Sequence, residues 1–213
     1  LFPSSFEDFP LGKIPKGWKV TSLDHIANFL NGLALQKFPP EGDGSLPAIK
    51  IAQLRRGSPD GADRVSKNIP IDYIVHDGDV LFSWSGSLET VVWCGGTGAL
   101  NQHLFKVTSS KYPKWFFYNW TLEHLPDFQH IAEGKATTMG HIQRHHLSDA
   151  KVVVPPDPVI IAADQIMSPI FQRQIHNKLE SRTLSSIRDA LLPKLISGEI
   201  RIKDAEKIVG EKV

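Results

Sequence analysis

The residues with the most varied side-chain chemistry lie between positions 134 and 146. Hydroxyl, amide, ammonium, guanidinium and imidazole groups follow one another closely in this segment. Such a mixture can hydrogen-bond both the phosphates of a nucleic acid and the edges of its bases. We therefore predict that this segment contacts nucleic acid, through Lys135, Thr137, Thr138, His141, Gln143 and Arg144.

Amide and hydroxyl side chains form a second set of candidates beside predicted strands. Asn101 and Gln102 precede a strand, and each amide can form two hydrogen bonds with adenine in the major groove. Ser83 and Ser85 lie where a buried strand passes into a loop of small residues, which can approach a phosphate or a sugar. A turn asparagine and a plain strand-to-turn transition are the ordinary alternatives, and the sequence leaves both open.

A basic cluster follows the first predicted strand and contains Lys50, Gln53, Arg55 and Arg56. An ordinary solvated loop would have the same composition. Under the nucleic-acid hypothesis, base contacts fall to Asn101, Gln102, Thr138, His141, Gln143 and Arg144. Phosphate contacts fall to Lys50, Arg55, Arg56, Ser85 and Lys135.

Catalytic and metal-binding patterns are weak in this sequence. His141 and His145 are four residues apart, but no acid stands at the spacing of a His-Glu-x-x-His site. The Gly-x-Ser-x-Gly and phosphate-loop patterns are missing from the sequence. We therefore predict no catalytic residue and no metal. The alternative is a histidine-dependent hydrolase or metal enzyme that uses His141, His145 and His146.

Composition restricts the remaining classes. The formal net charge is +1, so nucleic-acid binding has to depend on local clusters and not on overall charge. Cys94 is the single cysteine, which excludes an internal disulfide and is typical of a cytoplasmic protein. No apolar run approaches the roughly 20 residues that span a bilayer, so we predict a cytoplasmic location without membrane contact. The chain begins with leucine and not methionine, which indicates a fragment or a processed piece.

Short β-rich runs separated by Gly and Asp turns dominate the first two thirds of the chain. They lie at 48–51, 80–84, 90–94, 103–107 and 151–154, and an aromatic helix is expected over 114–131. The pattern predicts an α+β fold with a mainly antiparallel, twisted sheet and flanking helices. Residues 1–13 are rich in Pro and Phe and are predicted to be a linker or tail.

The last part of the chain is predicted to be helical. A short helix over 158–167 is expected to stop at Ser168-Pro169, where serine as N-cap and proline at the first position begin a new helix. That helix would run to Leu192 over roughly 35 Å. Its apolar residues recur at a period near 3.5 and predict a contact with a partner helix, through Ile170, Leu184, Ile187 and Leu191. A helix folded back on its own domain is the alternative.

Several blocks of the chain, in this order and spacing, resemble the specificity subunit of type I restriction–modification enzymes. The similarity extends over nearly the whole sequence, and its blocks are residues 14–18, 78–86, 101–107, 137–142, 152–156 and 184–201. The last block contains the run Arg-Asp-Ala-Leu-Leu-Pro-Lys-Leu-Ile-Ser-Gly-Glu. Members of that family usually have two recognition domains and two long helices, whereas this sequence has one of each.

The resemblance implies a target recognition domain over 14–156 that recognises one half of a bipartite duplex DNA site. It implies a helical spacer and dimerisation region over 157–213 that docks the methyltransferase (modification) subunit in a complex with the restriction subunit. A second spacer helix would come from another half of a longer subunit or from a second copy of the chain. The chain itself would be non-catalytic and without a cofactor. A helical scaffold that recognises no DNA sequence is the remaining alternative.

Overall fold

A computed structural model describes residues 5–9, 12–41, 44–134 and 140–210. Its contacts divide the chain into two compact units, Leu1–Phe171 and Gln172–Val213. No helix in the ranges just given is both long enough and apolar enough to cross a membrane. The predicted domain limits at 13 and 156 stay predictions.

The structure contains strands and helices that alternate along the chain. The strands are β1 Phe6–Phe9, β2 Gly12–Pro15, β3 Lys19–Ser22, β4 Asn28–Asn31, β5 Ser45–Ile49, β6 Arg64–Ser66, β7 Ile74–Val75, β8 Val80–Ser83, β9 Thr90–Val92, β10 Gly98–Leu100, β11 Leu104–Thr108 and β12 Lys151–Val154. The helices are α1 Leu23–Ile26, α2 Ile51–Arg56, α3 Lys114–Glu123, α4 Leu125–Glu133, α5 Arg144–Asp149, α6 Asp157–Ile196 and α7 Ile202–Gly210. Two short 3₁₀ helices lie at Leu35–Lys37 and Ile71–Tyr73.

Two four-stranded sheets form the centre of the first unit. One has the order β4-β11-β8-β9 and is antiparallel throughout. The other has the order β6-β5-β10-β7, in which β10 runs parallel to β5 and antiparallel to β7. The pairs β1-β2 and β12-β3 are antiparallel. The predicted α+β class with a mainly antiparallel sheet and a long C-terminal helix is confirmed, with one parallel pairing added.

Aromatic side chains fill the core behind the first sheet. Phe29, Phe82 and Phe105 come from three strands of that sheet, and their ring centroids lie 5.8 to 6.3 Å apart. Phe128 on α4 covers Phe82 at 5.7 Å. All four residues of β8 are buried, because both faces of this strand are covered. The strands that carry the candidate site are thus held by a packed core.

The basic cluster after β5 lies on and just before helix α2, which ends at Gly57 in the left-handed conformation, so the alternative of a solvated loop does not apply. One local prediction was wrong in the first unit. The aromatic helix is divided into α3 and α4 at His124, because Pro126 begins a new helix within its first two positions. The predicted linker contains β1 and the first residues of β2.

The predicted break at Ser168-Pro169 was also wrong, since α6 continues through both residues. Proline inside a helix loses one backbone hydrogen bond and usually bends or ends it. Here side chains fasten the helix on both sides: Ser168 Oγ and Trp115 Nε1 both donate to Asp164 Oδ1, at 2.5 and 2.7 Å. Phe171 is buried with its ring centroid 5.4 Å from that of Tyr118. These contacts are tertiary and cannot be deduced from local propensity.

Candidate nucleic-acid interface

Two loops that are distant in sequence are joined by backbone hydrogen bonds at the end of β8. Ser85 forms an isolated antiparallel bridge with His141. Gly86 N–H donates to the Gly140 carbonyl at 2.8 Å, and Ile142 N–H donates to the Trp84 carbonyl at 3.0 Å. A Cβ atom on Gly140 would lie 2.3 Å from the Ala132 carbonyl oxygen, so only glycine fits there. The two predicted loops therefore form one surface.

Trp84 lies at the centre of this surface and is half-buried. Its indole N–H donates to Asn31 Oδ1 at 2.8 Å and to the Gln102 carbonyl at 3.1 Å. Its ring centroid lies 5.8 Å from that of His103 and 6.4 Å from that of His141. These bonds hold the indole in one orientation between two grooves.

The first of these, the Trp84 groove, has a volume of about 350 Å³ and is lined by Asn31, Trp84, Phe105, His141, Ile142, Gln143 and Arg144. The Arg144 guanidinium carbon lies 5.6 Å from the centroid of the Phe105 ring, a cation–π distance. One Arg144 N–H also donates to the Phe29 carbonyl at 3.3 Å. Gln143 is exposed and forms the N-cap of α5. The structure thus places His141, Gln143 and Arg144 on the lining of one groove.

The second, the Lys50 groove, has a volume of about 640 Å³. Its polar lining residues are Gln36, Lys50, Asp63, Arg64, Asn101, Gln102 and His103. The Lys50 ammonium donates to Asp63 Oδ2 at 2.5 Å, and this hydrogen bond, with the charge of Lys50, lowers the pKa of Asp63 below its usual value. Gln102 and His103 contact both Trp84 and this groove. The two grooves are therefore adjacent, because Trp84 of one contacts Gln102 and His103 of the other at the turn before β11.

One hydroxyl, one imidazole and one amide group form a hydrogen-bonded chain at this junction. Ser85 Oγ lies 2.9 Å from His103 Nδ1, and His103 Nε2 lies 3.4 Å from the Gln102 amide nitrogen. Asn101 Oδ1 accepts the backbone N–H of His103 at 3.2 Å. Ser85 and Asn101 are buried, whereas Gln102 and His103 are half-buried.

Four predicted contact residues are buried and bonded within the domain. Gln53 Oε1 accepts the Lys50 backbone N–H at 3.3 Å and caps α2. Ser83 Oγ donates to the Ser87 carbonyl at 2.6 Å and accepts from Glu89 N–H at 2.8 Å. Ser85 and Asn101 form hydrogen bonds with His103, as described above. These placements correspond to internal support and not to direct surface contact.

The remaining predicted residues differ in position. Arg55 and Arg56 are exposed on α2; Arg55 pairs with Glu89 at 3.5 Å, and Arg56 donates to the Asp60 carbonyl. Lys135, Thr137 and Thr138 lie outside the described residues. Sequence analysis did not single out Asn31, Trp84 or Phe105. The dipeptide Asn31-Gly32 carried a signal in the sequence, because it is typical of a turn. In the structure, a Cβ on Gly32 would lie 2.2 Å from the Asn101 carbonyl oxygen, so the chain passes very close to Asn101 there.

A third groove of about 630 Å³ lies beside α5, and its charged or titratable lining residues are Asp24, His25, Lys111, Arg144 and His145. Burial raises the pKa of Asp24, but hydrogen bonds from Ser148, Ser22 and His25 outweigh it and leave the pKa below the usual value. Asp24 therefore stays ionised beside the cations.

The histidines of the metal-enzyme alternative are placed differently from one another. His141 lies against Trp84, and His146 Nδ1 accepts the Gln143 backbone N–H at 2.9 Å. Across residues 5–9, 12–41, 44–134 and 140–210, no three His, Cys, Asp or Glu side chains are grouped so that they can hold a metal ion.

Comparison with known proteins identifies relatives over most of the chain. The specificity subunit of the type I restriction enzyme MjaIX of Methanocaldococcus jannaschii is 27% identical over 202 residues, which cover 90% of this chain and 46% of that protein. The specificity subunit of the type I restriction enzyme HindI of Haemophilus influenzae is 22% identical over 88% of this chain and 42% of that protein. The chain thus spans less than half the length of these curated relatives.

The fold is also similar to that of a solved structure. The crystal structure of a type I restriction–modification S subunit from M. genitalium superposes with a TM-score of 0.51 at 14% identity, over 85% of this chain and 46% of that one. Residues 15–188 match the type I restriction modification DNA specificity domain as a family. Because this match extends over most of the sequence, the chain belongs to the type I restriction–modification specificity family.

Proposed function

We propose that this chain recognises one half of a bipartite duplex DNA site as part of a type I restriction–modification complex. The observation that carries the proposal is the adjacency of the Trp84 groove and the Lys50 groove, through the contact of Trp84 with Gln102 and His103. Amides and imidazoles that can bond base edges lie at this junction, and cations lie at its margins. Both groups are needed, since phosphate contacts position a protein on DNA and base contacts give specificity.

Exposure and charge divide the predicted contact residues into three roles. Gln102, His141, Gln143 and Arg144 line the grooves at positions from which base edges can be bonded. Lys50 and Arg55 are suited to phosphates, because their ion pairs are solvent-exposed and a phosphate can replace the carboxylate partner at little cost. Arg56 is exposed and donates to the Asp60 carbonyl, so its guanidinium is also suited to a phosphate. Gln53, Ser83, Ser85 and Asn101 then act indirectly, by holding the loops. Lys135, Thr137 and Thr138 remain candidates from the sequence.

The second half of the site and the enzymatic steps would come from other chains. The α6 residues Ile170 and Leu184 are 50% and 43% exposed, a high exposure for apolar side chains on a long helix. We assign them, with Ile187 and Leu191, to a contact with a second spacer helix, from another half or a second copy. Methyltransferase and restriction subunits would supply cofactor binding and catalysis, and this chain none. The complex would work in the cytoplasm.

The test is selection of bound duplexes from a random-sequence library, with the cognate methyltransferase subunit present. Enrichment of a short fixed motif is expected. A split palindromic motif would assign the second half to another copy of the chain, and a single motif to a separate half. If the methyltransferase binds and no motif is enriched, the proposal fails and the helical scaffold is the better description.

A further inference from the structure

We propose that Ser85 and His103 orient the side-chain amide of Gln102 so that Gln102 recognises an adenine in the major groove. This inference rests on the proposed function, since it assigns one base contact within the DNA-binding surface. Gln102 is the recognising residue, and Ser85 and His103 are positioning residues. The base class follows from hydrogen-bonding chemistry, in three steps.

The imidazole of His103 is fixed first. Ser85 is buried, its backbone is held by the bridge to His141, and its hydroxyl lies 2.9 Å from His103 Nδ1. The Trp84 ring lies over the imidazole at 5.8 Å, with the two planes inclined by 34°. The His103 backbone N–H is held by Asn101 Oδ1. The ring therefore has one defined orientation in which Nε2 faces Gln102.

The proposal assigns the proton of the ring to one nitrogen, from the orientation of the Gln102 amide. The Gln102 amide nitrogen lies 3.4 Å from His103 Nε2, and an amide NH₂ group can only donate a hydrogen bond. Nε2 is therefore the acceptor. A neutral imidazole with a free lone pair on Nε2 has its proton on Nδ1, which then donates to Ser85 Oγ. The hydrogen bonds run in one direction, from Gln102 to His103 to Ser85.

The groups left on Gln102 define the ligand. One amide hydrogen bonds His103, so the second amide hydrogen and Oε1 remain as a donor and an acceptor on a residue that lines the Lys50 groove. Adenine presents N7 as an acceptor and its N6 amino group as a donor in the major groove, which matches this pair. An inverted amide would require the opposite tautomer, with Nε2–H donating to Oε1 and Nδ1 accepting from Ser85 Oγ, and the nitrogen-15 measurement described below distinguishes the two arrangements. The Gln102 backbone is fixed as well, because its N–H donates to the Leu33 carbonyl at 2.8 Å and its carbonyl accepts from Trp84.

The first test compares base preferences after library selection for the unaltered chain and four variants, each with the methyltransferase subunit present. Gln102→Ala should reduce the preference for adenine at one position of the motif by about 5- to 150-fold, the discrimination of one bidentate pair. His103→Phe keeps a ring against Trp84 but removes both nitrogens, and Ser85→Ala removes the hydroxyl. Both should relax the same position and leave the others, and the salt dependence of binding, unchanged.

His130→Phe is the matched control, because His130 is exposed on α4 and lines none of the three grooves. It should retain the full motif. An unchanged adenine preference in His103→Phe would overturn the inference, and so would an equal loss at every position. A motif from the unaltered chain that does not depend on Gln102 would overturn the inference alone, whereas the lack of any motif would overturn the proposed function with it.

The second test needs no DNA. Nitrogen-15 chemical shifts of the 213-residue chain, recorded where the imidazoles are neutral, distinguish the two tautomers of His103. The proton is expected on Nδ1 in the unaltered chain and is expected to be shared between the two nitrogens in Ser85→Ala. A proton on Nε2 in the unaltered chain would overturn the inference, whatever the selection shows.

Discussion

The first unit and the helical unit differ in where their apolar side chains lie. Phe82 and Trp93 in the first unit are 0% and 1% exposed, and polar groups beside them bond within the same unit. In the helical unit, Leu184, Leu192 and Ile196 are between 43% and 78% exposed. The first unit has a packed core of its own, whereas a long helix with apolar residues in water is marginal without a partner. This difference agrees with the proposed division, in which the first unit binds DNA and the helical unit contacts a partner helix.

The largest expected effect tests the first side of this comparison. Phe82→Ala removes a fully buried ring between Phe29, Phe105 and Phe128, and should lower the free energy of unfolding of the first unit by about 3–5 kcal/mol. All five tryptophans precede residue 171, so tryptophan fluorescence in urea follows this unit alone. Leu192→Ala is the control and should change the free energy of unfolding of the first unit by less than about 0.5 kcal/mol. Similar losses of unfolding free energy in Phe82→Ala and Leu192→Ala would contradict the contrast between the two units.

The second prediction concerns assembly. Leu184→Asp combined with Ile187→Asp should convert an oligomer into monomers in light scattering, because two charges cannot be buried against an apolar partner helix. The unfolding curve of the first unit should not change. Ser181→Asp with Ser185→Asp adds the same charge at exposed polar positions of α6 and should leave the oligomer intact. If the oligomeric state is the same in all three proteins, these residues do not form the interface.

Gly140 tests whether backbone contacts hold the binding surface. Gly140→Ala places a Cβ 2.3 Å from the Ala132 carbonyl and should destabilise the first unit by about 1–3 kcal/mol. Affinity for the selected duplex should fall as well, because the displaced segment contains His141. Gly134→Ala is the control, since its Cβ would have ordinary contacts at 3.6 Å in a helical conformation. Equal stability of the two variants would show that the segment adapts without strain.

Arg144 tests the surface itself. Arg144→Ala should weaken binding of the selected duplex by about 1–3 kcal/mol if the guanidinium bonds a base, or lower the salt slope by about 1 if it bonds a phosphate. Titrations at several salt concentrations separate the two results. Lys135→Ala should behave as a phosphate contact. Arg173→Ala, on α6, serves as the reference. Unchanged affinity and slope in both Arg144→Ala and Lys135→Ala would make this segment structural.

The smallest expected effect is the pH dependence of the stability that Asp24 on α1 contributes to the fold. Hydrogen bonds lower the pKa of Asp24 in the folded chain below its usual 3.8. Asp24 therefore stabilises the fold fully above pH 3.8, and the stabilisation is lost as the pH falls through the lower, folded-state pKa. The difference in melting temperature between the unaltered chain and Asp24→Asn should shrink over that acidic range. A difference that stays constant there would mean that the Asp24 charge does not contribute.

Local patterns in the sequence were sufficient for much of the first unit. The strands around Val80–Ser83 and Leu104–Thr108 were predicted because β-rich runs ended at glycine and aspartate turns. The continuity of α6 through Pro169 was not predictable, since it depends on Trp115 and Tyr118, about fifty residues earlier.

The candidate site was predictable in composition but not in depth. Side-chain type singled out Gln102, Gln143 and Arg144, which line the grooves. The same criterion also selected Gln53 and Ser83, because an amide or a hydroxyl that bonds the backbone inside the domain has the same chemistry as one that faces solvent. Only tertiary packing separates the two cases. Trp84 was overlooked for the opposite reason, since its position between two grooves comes from β4 and the turn before β11.

The bonds that join the Trp84–Gly86 loop to the Gly140–Ile142 segment run between main-chain atoms. Main-chain bonds are insensitive to most side-chain replacements, so the residues that point outward from this frame can change while the frame persists. At position 140 the frame requires glycine, whereas Gln143 and Arg144 directly beside it are exposed. Under the proposed function, these two positions are suitable for laboratory evolution of new sequence preferences.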